Sequence, residues 1–234
     1  MPKGDNWSAL AKKGLKKPHR IPPFVLRQMF PKKFQKWKSQ EGVVTWDSFS
    51  WGDGSNPAQI SAINYHMVQA LRKDLEGHNF ETAVEIGCGY GRVTPWLSDY
   101  ASTVIGIEPN EEMAQYIEKY HPNIKYIQSK AQDMPLDDDS VGLIFTRSVL
   151  QHIPPNDIQS VCNEVSRVTS SNSRLLLCEA TSGEGDNQSF WPRPKSTYKE
   201  LFSDFELTQS WKRDAPAKTR EHTRERMTFI CKQS

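Results

Sequence analysis

Val84-Glu85-Ile86-Gly87-Cys88-Gly89-Tyr90-Gly91-Arg92 decides how the rest of this 234-residue chain is read. Its first residues end an apolar run, Ala83 to Ile86, that predicts a buried strand, and three glycines at alternate positions follow at once. Glycines so placed let the backbone turn sharply and approach a ligand closely, and a helix is expected from Arg92 to about Tyr100. A dinucleotide-binding turn would need a glycine at position 92, where Arg92 stands, so a nicotinamide dinucleotide is disfavoured.

Outward from this turn the chain alternates strand and helix. Apolar runs predict strands at Thr103 to Ile107, Ile124 to Gln128, Val141 to Thr146 and Arg174 to Glu179. Helices are expected at about Glu111 to Tyr120, capped by Asn110, and at about Asn156 to Val168. Such alternation predicts a parallel sheet with right-handed crossovers and helices on both faces. A short helix, Thr197 to Phe202, precedes two strand-like segments, Phe205 to Trp211 and Arg226 to Cys231. The linker between them, Lys212 to Glu225, is short and charged, so the last two strands should pair antiparallel. The expectation is an α/β, seven-stranded, mostly parallel sheet with an antiparallel last strand and an N-terminal extension. A helix from about Pro57 to Leu75 should precede the sheet.

The run Glu85-x-Gly87-x-Gly89-x-Gly91 resembles the first motif of the class I S-adenosylmethionine-dependent methyltransferases, which have a Rossmann-like fold. Glu108 ends the second strand, seventeen residues past Gly91, and matches the family's ribose-binding acid, with Pro109 beside it. A carboxylate there can accept hydrogen bonds from both ribose hydroxyls. Lys130-Ala131-Gln132-Asp133-Met134 resembles the adenine loop, with the backbone of Ala131 and Gln132 near the base edge. Leu143 to Ile153, which includes Arg147 and His152, resembles the fourth motif. The resemblance spans about Thr82 to Ala180. It implies S-adenosyl-L-methionine as cofactor, held by Glu85, Gly87, Cys88, Gly89, Gly91, Glu108, Pro109, Ala131, Gln132 and Arg147. The implied organisation is a basic arm over residues 1–40, a lid or helical segment over 41–80 and a methyltransferase domain over 81–234.

The sulfonium makes the methyl electrophilic, so the protein mainly has to align a nucleophile in line with the methyl-sulfur bond. For a hydroxyl acceptor a general base helps, and His152, just past the fourth strand, is the candidate; it reads equally as a residue capping the Leu150 to Ile153 turn. Trp46, Trp51 and Tyr65 precede the core, where an aromatic face could favour the sulfonium, or they serve as packing. Arg193 and Tyr198 follow the fifth strand, a substrate-facing position in this fold, and Arg193 could hold an anionic group.

No Asn-Pro-Pro-Tyr follows the fourth strand and no Pro-Cys is present, which marks down amide, adenine-amino and cytosine-carbon methylation. Nor does the Lys-Asp-Lys-Glu set of ribose methyltransferases emerge. The remaining resemblance is to the group that methylates small molecules, such as sugars or metabolites, on oxygen or nitrogen. Charge supplies a rival. Residues 1–38 hold eleven Lys and Arg against one acid, a charge of +10, leaving −8 on the other 196 residues. Trp7, Phe24, Phe30, Phe34 and Trp37 are interleaved with those cations, as in an arm that binds RNA or another polyanion. A noncatalytic S-adenosylmethionine-binding subunit is a further alternative. The four cysteines are widely spaced with no CxxC pair, so no metal site is expected. No apolar run reaches the about 20 residues of a membrane span, and a cytoplasmic location is the default expectation.

Overall fold

A computed structural model of the chain describes residues 57–185, 189–212 and 224–232. The basic arm and the segment carrying Trp46 and Trp51 lie outside the described residues. Helix α1, Pro57–Leu75, has the expected bounds. The chain divides after His66, so the unit that holds the sheet starts at Met67, inside α1. The reason is burial: Met67, Leu71 and Leu75 are core residues of that unit.

The strands are β1 (Phe80–Ile86), β2 (Ala101–Ile107), β3 (Lys125–Ile127), β4 (Val141–Arg147), β5 (Thr169–Ala180), β6 (Phe205–Lys212) and β7 (Arg224–Cys231). They form one sheet in the order β3-β2-β1-β4-β5-β7-β6. The first five pair parallel, and β7 inserts antiparallel between β5 and β6. Helices α2 (Glu111–Tyr120), α3 (Ile158–Val168) and α4 (Lys195–Leu201) complete the element order. Asn110 caps α2 as expected, its Oδ1 accepting from the Met113 N–H at 3.3 Å.

Residue alternation along the strands builds two cores. In β1, Val84 and Ile86 join Ile105, Ile144, Leu175 and Leu177 with Val161 and Val165 of α3, Tyr198 of α4 and Phe202 just after it. Ala83 points the other way and joins Val104, Leu143, Phe145 and Leu176 with Leu71, Leu75 and Ile117. The period of two in the strands and of 3.6 in the helices thus puts apolar surface on both faces of the sheet. The sheet order reverses between β1 and β4, which opens a crevice at their carboxyl ends.

Two expectations need correction. The helix foreseen over Arg92 to Tyr100 is a 3₁₀ helix, Thr94–Asp99, with Pro95 near its start. The chain must return from Ile86 to Ala101, the length of a seven-residue strand. A 3₁₀ helix climbs about 2.0 Å per residue against about 1.5 Å for an α-helix, which suits so short a crossover. Second, β5 starts at Thr169, directly at the end of α3, and its pairing with β4 shifts register between Val141 and Leu143. The polar run Ser170 to Ser173 hid this first half from apolar patterning.

Candidate functional site at the carboxyl edge

Where β1 leaves the sheet, Gly87, Gly89 and Gly91 have φ of 68°, 55° and 72°, the left-handed region. Gly87 is constrained twice, because a Cβ there would also lie 2.3 Å from Cγ2 of Val149. At Gly89 a Cβ would lie in ordinary contact, 3.9 Å from Met113 Sδ, so it is the left-handed φ rather than crowding that favours glycine there. The N–H groups of Gly87 and Cys88 both donate to the Ile107 carbonyl, at 2.8 and 3.1 Å, which ties the turn to the end of β2.

Glu108 stands at that end. Its Oε2 accepts from the Gly89 N–H at 3.1 Å and its Oε1 from the Asn110 N–H at 3.2 Å. Burial pushes its carboxyl above the ordinary range, opposed by those two hydrogen bonds. The Tyr126 hydroxyl donates to the Glu108 carbonyl, and the Pro109 carbonyl accepts from Gln128 Nε2 at 3.3 Å. Glu85 is fully buried and receives the Thr94 hydroxyl at 2.6 Å. Burial raises its carboxyl to about 7 against the hydrogen bond from Thr94 and the positive charges of Arg147 and Arg92. Cys88 is buried beside it, its thiol pushed up by desolvation first and then by the charge of Glu85.

The loop after β3 presents Ala131, buried, and Gln132, half-buried. Glu164 and Arg167 of α3 brace it: Glu164 Oε1 accepts the Met134 N–H at 2.7 Å, while Arg167 donates to the carbonyls of Met134 and Leu136 at 2.9 and 2.8 Å.

After β4 the chain turns at Ser148, a non-glycine at φ 59°. Glu179, near the end of β5 and fully buried, receives the Thr146 hydroxyl at 2.8 Å and the N–H groups of Val149 and Gln151 at 3.1 and 3.4 Å. Neither Glu179 nor Gln151 was among the sequence candidates. The signal was an acid ending the apolar run Leu175-Leu176-Leu177-Cys178, where an unpartnered carboxylate would be too costly to bury.

Glu85, Gly87, Cys88, Gly89, Gly91, Glu108 and Arg147 are thus brought to the adjacent ends of β1, β2 and β4. The proposed acceptor residues are arranged differently. Arg193 is buried and donates to the carbonyls of Leu150, Trp191 and Ile153 at 2.6, 3.2 and 2.6 Å. Its guanidinium is engaged in holding the chain, which corrects the expectation that it faces an anionic group. Tyr198 is fully enclosed in the core under α4 rather than facing substrate. His152 is exposed, with Nδ1 2.6 Å from the Ser189 carbonyl and Nε2 3.1 Å from Gln151 Nε2. Tyr65 is 63% exposed on α1. Among the described residues no cluster of His, Cys, Asp or Glu suited to a metal occurs, and no helix is long and apolar enough to cross a membrane.

Residues 84–177 match the methyltransferase domain family. The uncharacterized methyltransferase sll0829 of Synechocystis is 25% identical over 122 residues, which cover 52% of this chain and 56% of that protein. The uncharacterized methyltransferase YcgJ of Bacillus subtilis is 30% identical over 101 residues, covering 41% of this chain and 39% of that protein. The chain therefore spans about half or less of the length of these relatives. In fold, the crystal structure of YcgJ matches with a TM-score of 0.62 at 17% identity, covering 73% of this chain and all of that one. A Burkholderia thailandensis 1,6-didemethyltoxoflavin-N1-methyltransferase, with 1,6-didemethyltoxoflavin and S-adenosylhomocysteine bound, matches with a TM-score of 0.62 at 14% identity, covering 100% of this chain and 93% of that one. Residues 84–177 thus match a methyltransferase domain, and the glycine turn and sheet order around them are similar to those of the Rossmann-like methyltransferase fold.

Proposed function

We propose that the protein transfers the methyl group of S-adenosylmethionine to an oxygen or nitrogen of a small molecule. The observation that carries this reading is the bond between the Gly89 N–H and the Glu108 carboxylate. It joins a left-handed glycine turn to an acid that has acceptor capacity left. Each Glu108 oxygen accepts one backbone N–H, which leaves a lone pair on each for a ribose hydroxyl. The residues therefore fit the cofactor, with Gly87 to Gly91 as its cradle, Pro109 beside the ribose acid, and Ala131 and Gln132 at the adenine edge.

When bound, the cofactor supplies a methyl group made electrophilic by its positive sulfur. The chain's own part is to fix and orient. The turn and Glu108 hold the adenosine half, Glu85 and Arg147 line the crevice where β1 and β4 end, and the loops after β4 and β5 flank the acceptor. Alignment of this kind converts an encounter into a positioned displacement without a covalent enzyme adduct. A base role for His152 requires that Gln151 first release Nε2, because that nitrogen already has a partner.

The relative with 1,6-didemethyltoxoflavin bound supports a small acceptor. The +10 charge of residues 1–38 favours a second reading, methylation of RNA or another polyanion. Release of S-adenosylhomocysteine from S-adenosylmethionine, measured with a panel of small hydroxyl and amine compounds and with RNA, separates them. Turnover with a small compound that survives deletion of residues 1–38 is the expected result. Turnover with RNA alone, lost with that deletion, would replace it with the second reading. A cytoplasmic site of action belongs to the same proposal.

A further inference from the structure

We propose that Gln151 and His152 form a positioning pair for methyl transfer: Gln151 holds His152 in the Nδ1–H tautomer, and that tautomer ties the segment Ser189–Arg193 to the turn after β4. The assignment to methyl transfer rests on the function proposed above; the tautomer itself follows from hydrogen-bond chemistry alone.

The Ala180 N–H lies 2.9 Å from Gln151 Oε1. A backbone N–H only donates, so this end of the amide is the oxygen and the other end is the NH₂ group. That NH₂ nitrogen lies 3.1 Å from His152 Nε2. An amide nitrogen also only donates, so His152 Nε2 must be the unprotonated, accepting nitrogen. On the far side of the ring, Nδ1 is 2.6 Å from the Ser189 carbonyl, which only accepts, so Nδ1 carries the proton. Each donor meets an acceptor in this one tautomer. In the alternative tautomer, Nε2–H would face the Gln151 NH₂ and the Nδ1 lone pair would face the Ser189 oxygen.

The pair sits within a larger tie. The Trp191 N–H donates to the Gln151 carbonyl at 2.7 Å, and the Arg193 N–H to the Ala180 carbonyl at 3.2 Å. Arg193 reaches Leu150 and Ile153, on either side of the pair. Below, Glu179 takes the Gln151 N–H, so Thr146, Glu179, Gln151, His152 and Ser189 form one hydrogen-bonded chain from the end of β4 outward. The Phe190 ring lies 5.8 Å from the His152 ring, centroid to centroid. Two loops leaving adjacent strands at the reactive edge are thereby set in one fixed relation. His152 acts there through Ser189, with its lone pair already in use.

The test uses the full chain labelled with ¹⁵N-histidine, observed by long-range ¹H–¹⁵N NMR. The His152 signal is identified by its loss in His152→Asn. It should show protonated Nδ1 and bare Nε2. In parallel, hydrogen exchange over residues 189–193 should rise about tenfold in His152→Ala and in Gln151→Leu, the loss of about one net hydrogen bond. It should stay near wild type in His152→Asn, whose side-chain NH₂ can replace Nδ1 as donor to Ser189. An Nε2–H tautomer, or exchange indifferent to His152→Ala, overturns the pair. Titration with S-adenosylhomocysteine reads the other premise separately: no binding by the wild type removes the methyltransferase reading, whereas binding with the wrong tautomer removes only the positioning pair.

Discussion

Two regions at the carboxyl edge of one sheet are held in place by opposite means. The turn after β1 is held mainly by backbone conformation, with three left-handed glycines at alternate positions and the N–H groups of Gly87 and Cys88 donating to the Ile107 carbonyl at the end of β2. The turns after β4 and β5 are held by side chains, with Glu179, Gln151, His152 and Arg193 supplying the bonds. A series of left-handed positions, which glycine favours, leaves a mark in the sequence, whereas a side-chain network leaves residues of ordinary type at irregular spacing. The two regions also touch, since Val149 fills the space that Gly87 leaves empty.

That contact offers the sharpest way to break the comparison. Gly87→Ala combines left-handed strain of about 1 to 2 kcal/mol with overpacking of similar size, for a total of about 2 to 4 kcal/mol, read by chemical denaturation. Adding Val149→Ala should relieve the packing part and leave the strain. A double mutant no more stable than Gly87→Ala would show that the two turns are not coupled through this contact.

Acidity gives the next effect. Glu85 titrates near 4.5 when unfolded and at about 7 when folded, so the folded state binds the proton more tightly. The stability from this group is fully present below about pH 4.5 and is lost as pH rises through about 7, a change of about 3 kcal/mol. Glu85→Gln should flatten the fall in melting temperature between those limits. A fall as steep as in the wild type would place the source elsewhere.

Glu179→Leu tests the network side. It strips the Val149 and Gln151 N–H groups of their acceptor at a cost of about 2 kcal/mol, and it should loosen residues 148–153 in hydrogen exchange while leaving the glycine turn protected. Equal loosening of both regions would mean that they unfold as one unit.

The same contrast explains what was legible in the sequence. The strand-helix alternation, the seven strands and the cap at Asn110 could be read from periodicity and spacing, because each depends on neighbours in sequence or on residue types with narrow roles, whereas the link between the glycine turn and Glu108 came from the resemblance to the methyltransferase motifs. The 3₁₀ helix after Arg92 could not, because its length is set by the distance back to β2. Arg193 and Tyr198 were placed at the right edge but given the wrong surroundings: position after a strand says nothing about which way a side chain packs. The bracing of the loop after β3 by Glu164 and Arg167 comes from a helix some thirty residues away, a pairing with no local signature.

The central claim, that the glycine turn and Glu108 bind the adenosine half of S-adenosylmethionine, is tested most directly by calorimetric titration of S-adenosylhomocysteine into the full chain. The expected result is one-to-one binding with a Kd of about 1 to 100 μM that weakens at least about tenfold in Glu108→Ala. No binding at high protein concentration, or an affinity unchanged by Glu108→Ala, would contradict it.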